Sequence, residues 1–311
     1  MPDPAGAAPI AVTGASGFVG QHVINALRRA HRPVVGWRHR PGDGSTDPVV
    51  DILDPARLRE QLHADAPAGL IHLAGAPHVG QSWQDTARPL RINAMGTHHV
   101  LNAVRQHAPQ CKLLVITSAM VYAPADDAIS ETHTLCPNSP YGVSKLAQDD
   151  LARRAVHDDG LQVVVARPFN HIGPGQADTF AISSFCRQIA DAERGRRPPV
   201  LRVGNLDARR DLTDVRDVAD AYVTLLDRAP SGSVWNVCAG TAYRIGDLLE
   251  SLLQLARVPI RVEPDSERMR PADQPLLLGD ASRLRDTFGW RPRYAITDTL
   301  SDMLAWWRTQ A

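Results

Sequence analysis

No run of about 18 consecutive apolar residues occurs in the sequence, so no segment reads as a transmembrane helix. Charge of one sign is not in excess: Lys and Arg total 34 and Asp and Glu total 34, a formal net charge of zero. That balance removes any whole-molecule attraction to nucleic acid or to an anionic membrane. Cysteine is scarce. Cys111, Cys136, Cys186 and Cys238 lie far apart, with no close pair and no Cys/His cluster. The spacing argues against a disulfide scaffold and a structural zinc site, and for reduced thiols in a cytoplasmic protein. The opening Met-Pro-Asp-Pro-Ala-Gly-Ala-Ala-Pro has no basic n-region and does not read as a signal peptide. No internal repeat or long low-complexity segment stands out. What is there is a chain of 311 residues, 43% hydrophobic and 22% charged, enough for one large domain or two ordinary ones with a real core.

Short apolar runs alternate with longer stretches of helical period. Pro9–Val12, Pro33–Trp37, Pro48–Ile52, Leu70–Leu73, Lys112–Ile116 and Gln162–Arg167 read as strands, and Phe18–Ala30, Pro55–Ala64, Pro89–His107 and Pro140–His157 as helices. This rhythm predicts an α/β fold: a Rossmann-type, doubly wound parallel sheet covered on both faces. From Phe169 onward Pro and Gly become frequent, and arginines cluster at Arg194–Arg197, Arg209–Arg210 and Arg268–Arg270. Val234–Val237 reads as a late strand and Ile245–Leu255 as a late helix. The expected division is a dinucleotide-binding domain over residues 1–168, with a return near 212–237. Residues 169–311 are expected to form mainly a smaller α/β domain that supplies a substrate site.

Val12-Thr13-Gly14-Ala15-Ser16-Gly17-Phe18-Val19-Gly20 joins the first strand to the first helix. Gly14 permits a sharp turn, Gly17 lets backbone amides approach a pyrophosphate, and Gly20 lets helix and sheet pack closely. Gly14, Ser16, Gly17, Phe18, Val19 and Gly20 are therefore expected to line a dinucleotide, a plain structural turn being the alternative. The second strand ends Gly36-Trp37-Arg38-His39-Arg40 and has no acid before Asp43. NAD sites usually place an acid at that strand end, whereas an arginine can pair with a 2′-phosphate. NADPH is the expected cofactor, with Arg38 or Arg40 on the phosphate, and NADH remains possible.

Tyr141-Gly142-Val143-Ser144-Lys145 follows Pro140. A separation of four puts Tyr141 and Lys145 one turn apart on one helix face. A free phenol titrates near pKa ~10, and a neighbouring ammonium favours phenolate; a value near 7 needs about 4 kcal/mol of such help. Taken alone, Tyr-x-x-x-Lys also describes an ordinary helix surface. Ser118 changes that reading, because it closes the strand Leu113–Ile116 at the carboxyl edge where parallel sheets bind ligands.

With these pieces in place the chain resembles the extended short-chain dehydrogenase/reductases, in their nucleotide-sugar branch. The matching residues are the glycine loop, Asp51-Ile52, His72-Leu73-Ala74-Gly75, Asn93 with Gly96-Thr97, and Ser118 with Tyr141 and Lys145. Arg167-Pro168-Phe169-Asn170, Gly173-Pro174-Gly175-Gln176 and Arg210-Asp211 extend the match over nearly the whole chain. The resemblance implies that Ser118, Tyr141 and Lys145 are catalytic. It places Asp51 and Ile52 by the adenine, Leu73, Ala74, Gly75, Asn93 and Pro168 along the cofactor, and Asn170 by a sugar diphosphate. The stretch from Val200 to Val218 resembles the nucleotide-binding part of GDP-mannose-derived sugar enzymes, which implies substrate contacts from Arg202, Asn205 and Arg210. Arg270-Pro271-Ala272-Asp273 resembles a diphosphate-binding segment, and Arg210 and Arg270 are cations able to clamp such a dianion.

The branch's 4,6-dehydratases carry an Asp-Glu pair after the catalytic hydroxyl residue, whereas Ala119-Met120 stand here and neither can move a proton. Dehydration and decarboxylation are disfavoured. The resemblance then implies NAD(P)H-dependent reduction of a nucleotide-linked 4-keto-6-deoxyhexose, most closely GDP-4-dehydro-6-deoxy-D-mannose to GDP-D-rhamnose. The alternatives are a dTDP-linked 4-ketoreductase, a 4-epimerase that retains NAD and, more distantly, a non-catalytic NADPH-binding sensor. Members of the family pair their long helices into a dimer. Val100, Leu101, Val104, Leu146 and Leu151 are the apolar positions expected to serve it. No metal and no nucleic acid are expected: His98-His99 point to different sides of a helix, and the arginine clusters lack interleaved aromatics. His171 reads as a loop-packing group, and Trp306-Trp307 as the anchor of an amphipathic helix.

Overall fold

The computed structural model describes residues 8–41, 45–269 and 274–310. The first half of the chain runs β1 (Ile10–Thr13), α1 (Phe18–Arg29), β2 (Val34–Trp37), α2 (Pro55–Asp65), β3 (Gly69–His72), α3 (Val79–Ser82) and α4 (Ala87–Pro89). A π-helical segment (Leu90–Met95) then leads into α5 (Gly96–His107), β4 (Lys112–Ile116), α6 (Pro140–Asp159) and β5 (Val163–Pro168). The remainder is β6 (Asn170–Ile172), α7 (Ala181–Glu193), β7 (Val200–Val203), β8 (Arg209–Asp214), α8 (Val215–Arg228), β9 (Val234–Val237) and β10 (Ala242–Arg244). It closes with α9 (Ile245–Gln254), β11 (Arg261–Pro264), β12 (Leu276–Leu277), α10 (Ser282–Phe288) and α11 (Ile296–Thr309).

Six parallel strands form the main sheet in the order β2-β1-β3-β4-β5-β9, so the α/β, Rossmann-type reading of the alternation matches the observed fold. The order reverses between β1 and β3, and a sheet of this kind binds ligands in the crevice beyond that switch point. Strands β1 and β3 are buried at every position, as strands sandwiched between helices must be. One face packs Val23 and Leu27 of α1 and Val218, Tyr222 and Leu225 of α8 against the sheet. The other face packs Leu58 and Leu62 of α2 and Val100, Leu101 and Val104 of α5. Strand β9 joins the main sheet after the chain has left it to build β6, β7 and β8. Beside that sheet, β8 pairs with β6, β10 and β12, β7 pairs with β11, and α7, α9 and α11 share a further apolar core. In that core Trp307 packs at the edge and donates from Nε1 to Ser183 Oγ at 3.0 Å.

Three expectations are corrected. Pro48–Ile52 forms no strand. Pro48 has no N–H to give, the Asp51 carboxylate takes the Leu53 amide at 2.9 Å, and one bridge, Arg38 to Val49, is all that remains beside β2. Pro89–His107 is not one α-helix, because the chain widens into π geometry over Leu90–Met95 before α5 begins. Val100, Leu101 and Val104 are core residues facing the sheet, and Leu146 and Leu151 also pack inward. The apolar side chains on these helices that do reach solvent are Leu90, Met95 and Val143, with Trp83 just after α3. Among the described residues no helix is long and apolar enough to cross a membrane.

Candidate active site

Helix α6 has a defined start. Ser139 caps it by accepting from the Gly142 amide at 3.1 Å, Pro140 occupies the first turn, and Gly160 ends it in the left-handed region with φ 69°. This start fixes Tyr141 and Lys145 on the buried side of the helix, where Tyr141 is 9% and Lys145 7% exposed. Ser118 follows β4, is 8% exposed, and accepts the Met120 amide at 3.1 Å. Its hydroxyl lies beside the Tyr141 phenol and favours the ionised form. The structure thus brings Ser118 and Tyr141 together beyond the carboxyl end of β4. Lys145 Nζ stands 6.0 Å from the centre of the Tyr141 ring and donates to Ile116 O at 3.0 Å and to Gln148 Oε1 at 2.7 Å.

The electrostatics differ from the sequence expectation of a lowered phenol. Burial pushes Tyr141 up to about 12, only partly offset by the Ser118 hydroxyl beside it. Burial pulls Lys145 down to about 7. The ammonium points at Ile116 and Gln148, so desolvation outweighs its influence on the phenol. His72, buried beneath the site, is held down to about 3 by burial and then by the Lys145 charge, so it is neutral.

The glycine loop shapes a cradle. Gly14 has φ 70°, and a Cβ there would lie 2.9 Å from the Ala74 amide nitrogen; at Gly20 it would lie 2.3 Å from Gly14 O. A larger residue at either position would push loop, β3 edge and α1 apart. Ser16 and Gly17 are exposed, and no side chain caps α1, which leaves first-turn amides open to an anion. Phe18 stacks on His171 at 6.1 Å, and Val19 packs into the core. The amides of Leu73 and Ala74 donate to Thr13 Oγ1. A Cβ on Gly75 would meet Asn93 Oδ1 at 2.8 Å, and Asn93 is fixed by Ala76 and by Ser144 Oγ. Ile52 is buried against Gly96, Asp51 closes the adjoining turn, and Pro168 ends β5 in the core. At the end of β2, Arg38 Nε is paired with Asp47 at 2.9 Å, whereas Arg40 is exposed.

On the other side of the crevice, Asn170 is exposed on β6 opposite Leu212 of β8. Arg202 is exposed on β7 while its backbone is clamped by Gln188, and Asn205 accepts the Asp207 amide at 2.9 Å. Arg210 Nη1 donates to the carbonyls of Arg209 and Gln274. Its neighbour Asp211 is buried and takes the amides of Ala239, Gly240 and Gly279. Arg270 lies outside the described residues. A cavity of about 340 Å³ lies elsewhere, behind β8 and lined by Thr213, Tyr243, Trp290 and Tyr294; Ser118, Tyr141 and Lys145 do not line it.

Sequence reasoning missed several supporting residues. Asp149, 0% exposed, binds Arg167 through Nε at 2.8 Å and Nη2 at 2.9 Å, and also takes Arg153 Nε and Thr117 Oγ1. Arg167 Nη1 continues to Tyr122 OH, which donates to Asn236. Gln148 and Asp149 stand three and four residues after Lys145, so polar residues on the buried stripe of α6 were the available signal.

Comparison with known proteins agrees with this geometry. The family model described as GDP-mannose 4,6 dehydratase matches residues 11–303. GDP-6-deoxy-D-mannose reductase from Pseudomonas aeruginosa is 40% identical over 302 residues, covering 96% of this chain and 97% of that protein. UDP-glucose 4-epimerase from Rhizobium leguminosarum bv. trifolii is 28% identical over 322 residues, with 96% of each chain covered. Among solved structures, RMD from Pseudomonas aeruginosa complexed with NADPH superposes with a TM-score of 0.88 at 38% identity, covering 98% of this chain and all of that one. MoeE5 in complex with UDP-glucose and NAD superposes with a TM-score of 0.85 at 30% identity, covering 96% and 98%. With a family model spanning almost its whole length, the chain belongs to the GDP-mannose 4,6 dehydratase family.

Proposed function

We propose that the protein is an NADPH-dependent nucleotide-sugar 4-ketoreductase, with GDP-4-dehydro-6-deoxy-D-mannose to GDP-D-rhamnose as the reaction it fits best. One observation carries the reading. The hydroxyl, phenol and ammonium of Ser118, Tyr141 and Lys145 stand together at the carboxyl edge of the sheet, and the next two residues are Ala119 and Met120. This is the equipment for moving one hydride and one proton at a carbonyl, without a second acid and base for eliminating water. The 40% identical reductase supports the choice of sugar and of GDP.

The loop from Gly14 to Gly20, the uncapped start of α1 and Arg38 suit a dinucleotide with a 2′-phosphate, whose nicotinamide supplies the hydride when bound. Tyr141 gives its proton to the carbonyl oxygen at carbon 4, Ser118 holds that oxygen, and Lys145 binds the nicotinamide ribose. Asn170, Arg202, Asn205, Arg210 and Arg270 form the nucleotide-sugar side in this reading. Turnover of GDP- and dTDP-linked 4-keto-6-deoxy sugars with NADPH tests it. Net oxidation of NADPH by the GDP-linked ketone is expected. Tightly retained nicotinamide, with sugar interconversion and no net oxidation, would make the protein an epimerase.

Arg38 and Arg40 are proposed to select the cofactor. Asp47 already pairs with Arg38 Nε at 2.9 Å, which restrains that side chain just after β2. Replacing both arginines with Ala should raise KM for NADPH roughly 10- to 150-fold, the range for losing a charged hydrogen bond, and leave KM for NADH nearly unchanged. A wild-type preference for NADH, or equal effects on both cofactors, overturns the assignment.

The reading also includes a cytoplasmic homodimer, with no nucleic-acid partner. Trp83, Leu90, Met95 and Val143 are exposed on neighbouring elements and supply an apolar face that a second copy would cover. Sedimentation at micromolar concentration should give a dimer, and Met95→Glu with Val143→Glu should give a monomer. A monomeric wild-type protein rejects this part.

A further inference from the structure

We infer that Gln148 is a positioning residue that holds the Lys145 ammonium in place, and that Gln148 is itself locked by a buried hydrogen-bond chain running through Thr97 and His72 to Thr13 beneath the glycine loop. The inference rests on the reading of Lys145 as the ribose-binding member of the triad.

Every link is buried: Thr13 is 1% exposed, His72, Thr97 and Gln148 are 0%, and Lys145 is 7%. The direction of each bond follows from counting donors. Thr13 Oγ1 accepts from the Leu73 and Ala74 amides, so its hydrogen goes to His72 Nδ1 at 2.8 Å. His72 is neutral and must therefore carry its proton on Nε2, which donates to Thr97 Oγ1 at 3.0 Å. Gln148 Nε2 donates to the same Thr97 oxygen at 2.9 Å. The amide oxygen is thereby turned toward Lys145 Nζ, 2.7 Å away. A flipped amide would aim its NH₂ at the ammonium, so the Lys145 charge and the Thr97 lock select one orientation.

Among the described residues Lys145 has no carboxylate at hand. Its hydrogen bonds go to two neutral oxygens, Ile116 O from β4 and Gln148 Oε1 from its own helix. His72 faces it from β3, and Tyr141 lies one turn back on α6. The π segment and α5 bring neutral Asn93 and Thr97, and the next acid, Asp149, is committed to Arg167 of β5, Arg153 and Thr117. In so dry a place one oriented amide oxygen decides how firmly the ammonium keeps its proton. The same chain ends on the amides of the β3 edge against which Gly14 packs, so cofactor cradle and Lys145 share one rigid set of bonds.

The test is the pH profile of kcat for Gln148→Leu and Gln148→Glu beside wild type and Lys145→Met. Removing the oxygen destabilises the charged amine, so the alkaline limb in Gln148→Leu should move about one to two units toward acid. A carboxylate favours the charged amine, so Gln148→Glu should move the limb toward alkali. Thr97→Val, which unlocks the amide without touching Lys145, should move it in the same direction as Gln148→Leu but less. Limbs unmoved in both Gln148 variants, with kcat lowered uniformly or not at all, overturn the inference. If Gln148→Leu does not fold, the opposite sign in Gln148→Glu carries the test. Near-wild-type turnover by Lys145→Met would instead overturn the reading of the triad, so the two failures are told apart.

Discussion

Replacing Tyr141 with phenylalanine should lower kcat roughly 100-fold or more and leave the affinities for NADPH and keto sugar largely intact. The ring is buried on α6 and keeps its shape in the variant, so only the hydroxyl leaves. In the reducing direction that hydroxyl must carry a proton when hydride reaches carbon 4. A phenol pushed up to about 12 is fully protonated at neutral pH, and still a stronger acid than the alcohol formed when the carbon 4 oxygen takes its proton. The elevated value therefore suits an acid, whereas a base abstracting a proton from an alcohol would need the opposite shift. It also assigns the pH profile. Between neutral pH and about 10 the phenol does not titrate, so an alkaline limb there belongs to Lys145, which burial pulls down to about 7. Turnover of Tyr141→Phe close to wild type would remove Tyr141 from the chemistry.

The parts of this site that were legible in the sequence are those whose signal is local. Apolar runs mark β1, β3, β4 and β5 because both faces of the sheet are covered, and the strand–Gly–helix junction at Gly14 to Gly20 is set by nearest neighbours. The four-residue step from Tyr141 to Lys145 is helix geometry alone. Pro48–Ile52 carries the same apolar letters as a strand, but Pro48 and Asp51 withdraw the backbone from a ladder. An apolar stripe on a helix says that something covers it and not what does so, which is why Val100, Leu101 and Val104 face the sheet while Met95 and Val143 face solvent. The phenol's upward shift comes from packing by distant segments, and no spacing rule contains it. Nor did the reading for an acid near β2 reach Asp47, which the fold returns to Arg38.

The largest stability effect is expected at a residue the sequence did not flag. Asp149→Ala should destabilise the protein by about 3–5 kcal/mol, because it leaves the Arg167 guanidinium buried without its partner. Arg167 is 3% exposed and Asp149 0%, and the bidentate pair joins α6 to β5. Thr117 Oγ1 adds the end of β4, one residue before Ser118, and Asp149 sits one turn beyond Lys145. The pair therefore holds α6 where Tyr141 can meet Ser118. Asp150→Ala is the contrast: that carboxylate is exposed and pairs with Arg153 at the surface, where such pairs contribute about 0–1 kcal/mol. Urea denaturation should show the Asp149 variant with a much lower midpoint at unchanged slope, and Asp150→Ala near wild type. A loss below about 1 kcal/mol for Asp149→Ala would mean that water or another group neutralises Arg167. The double replacement Asp149→Leu with Arg167→Met separates charge from packing. Apolar residues of similar volume remove the buried charge along with its partner, so much of the lost stability should return. Activity should not return with it, because a hydrophobic contact does not fix the angle of α6 as two parallel N–H···O bonds do.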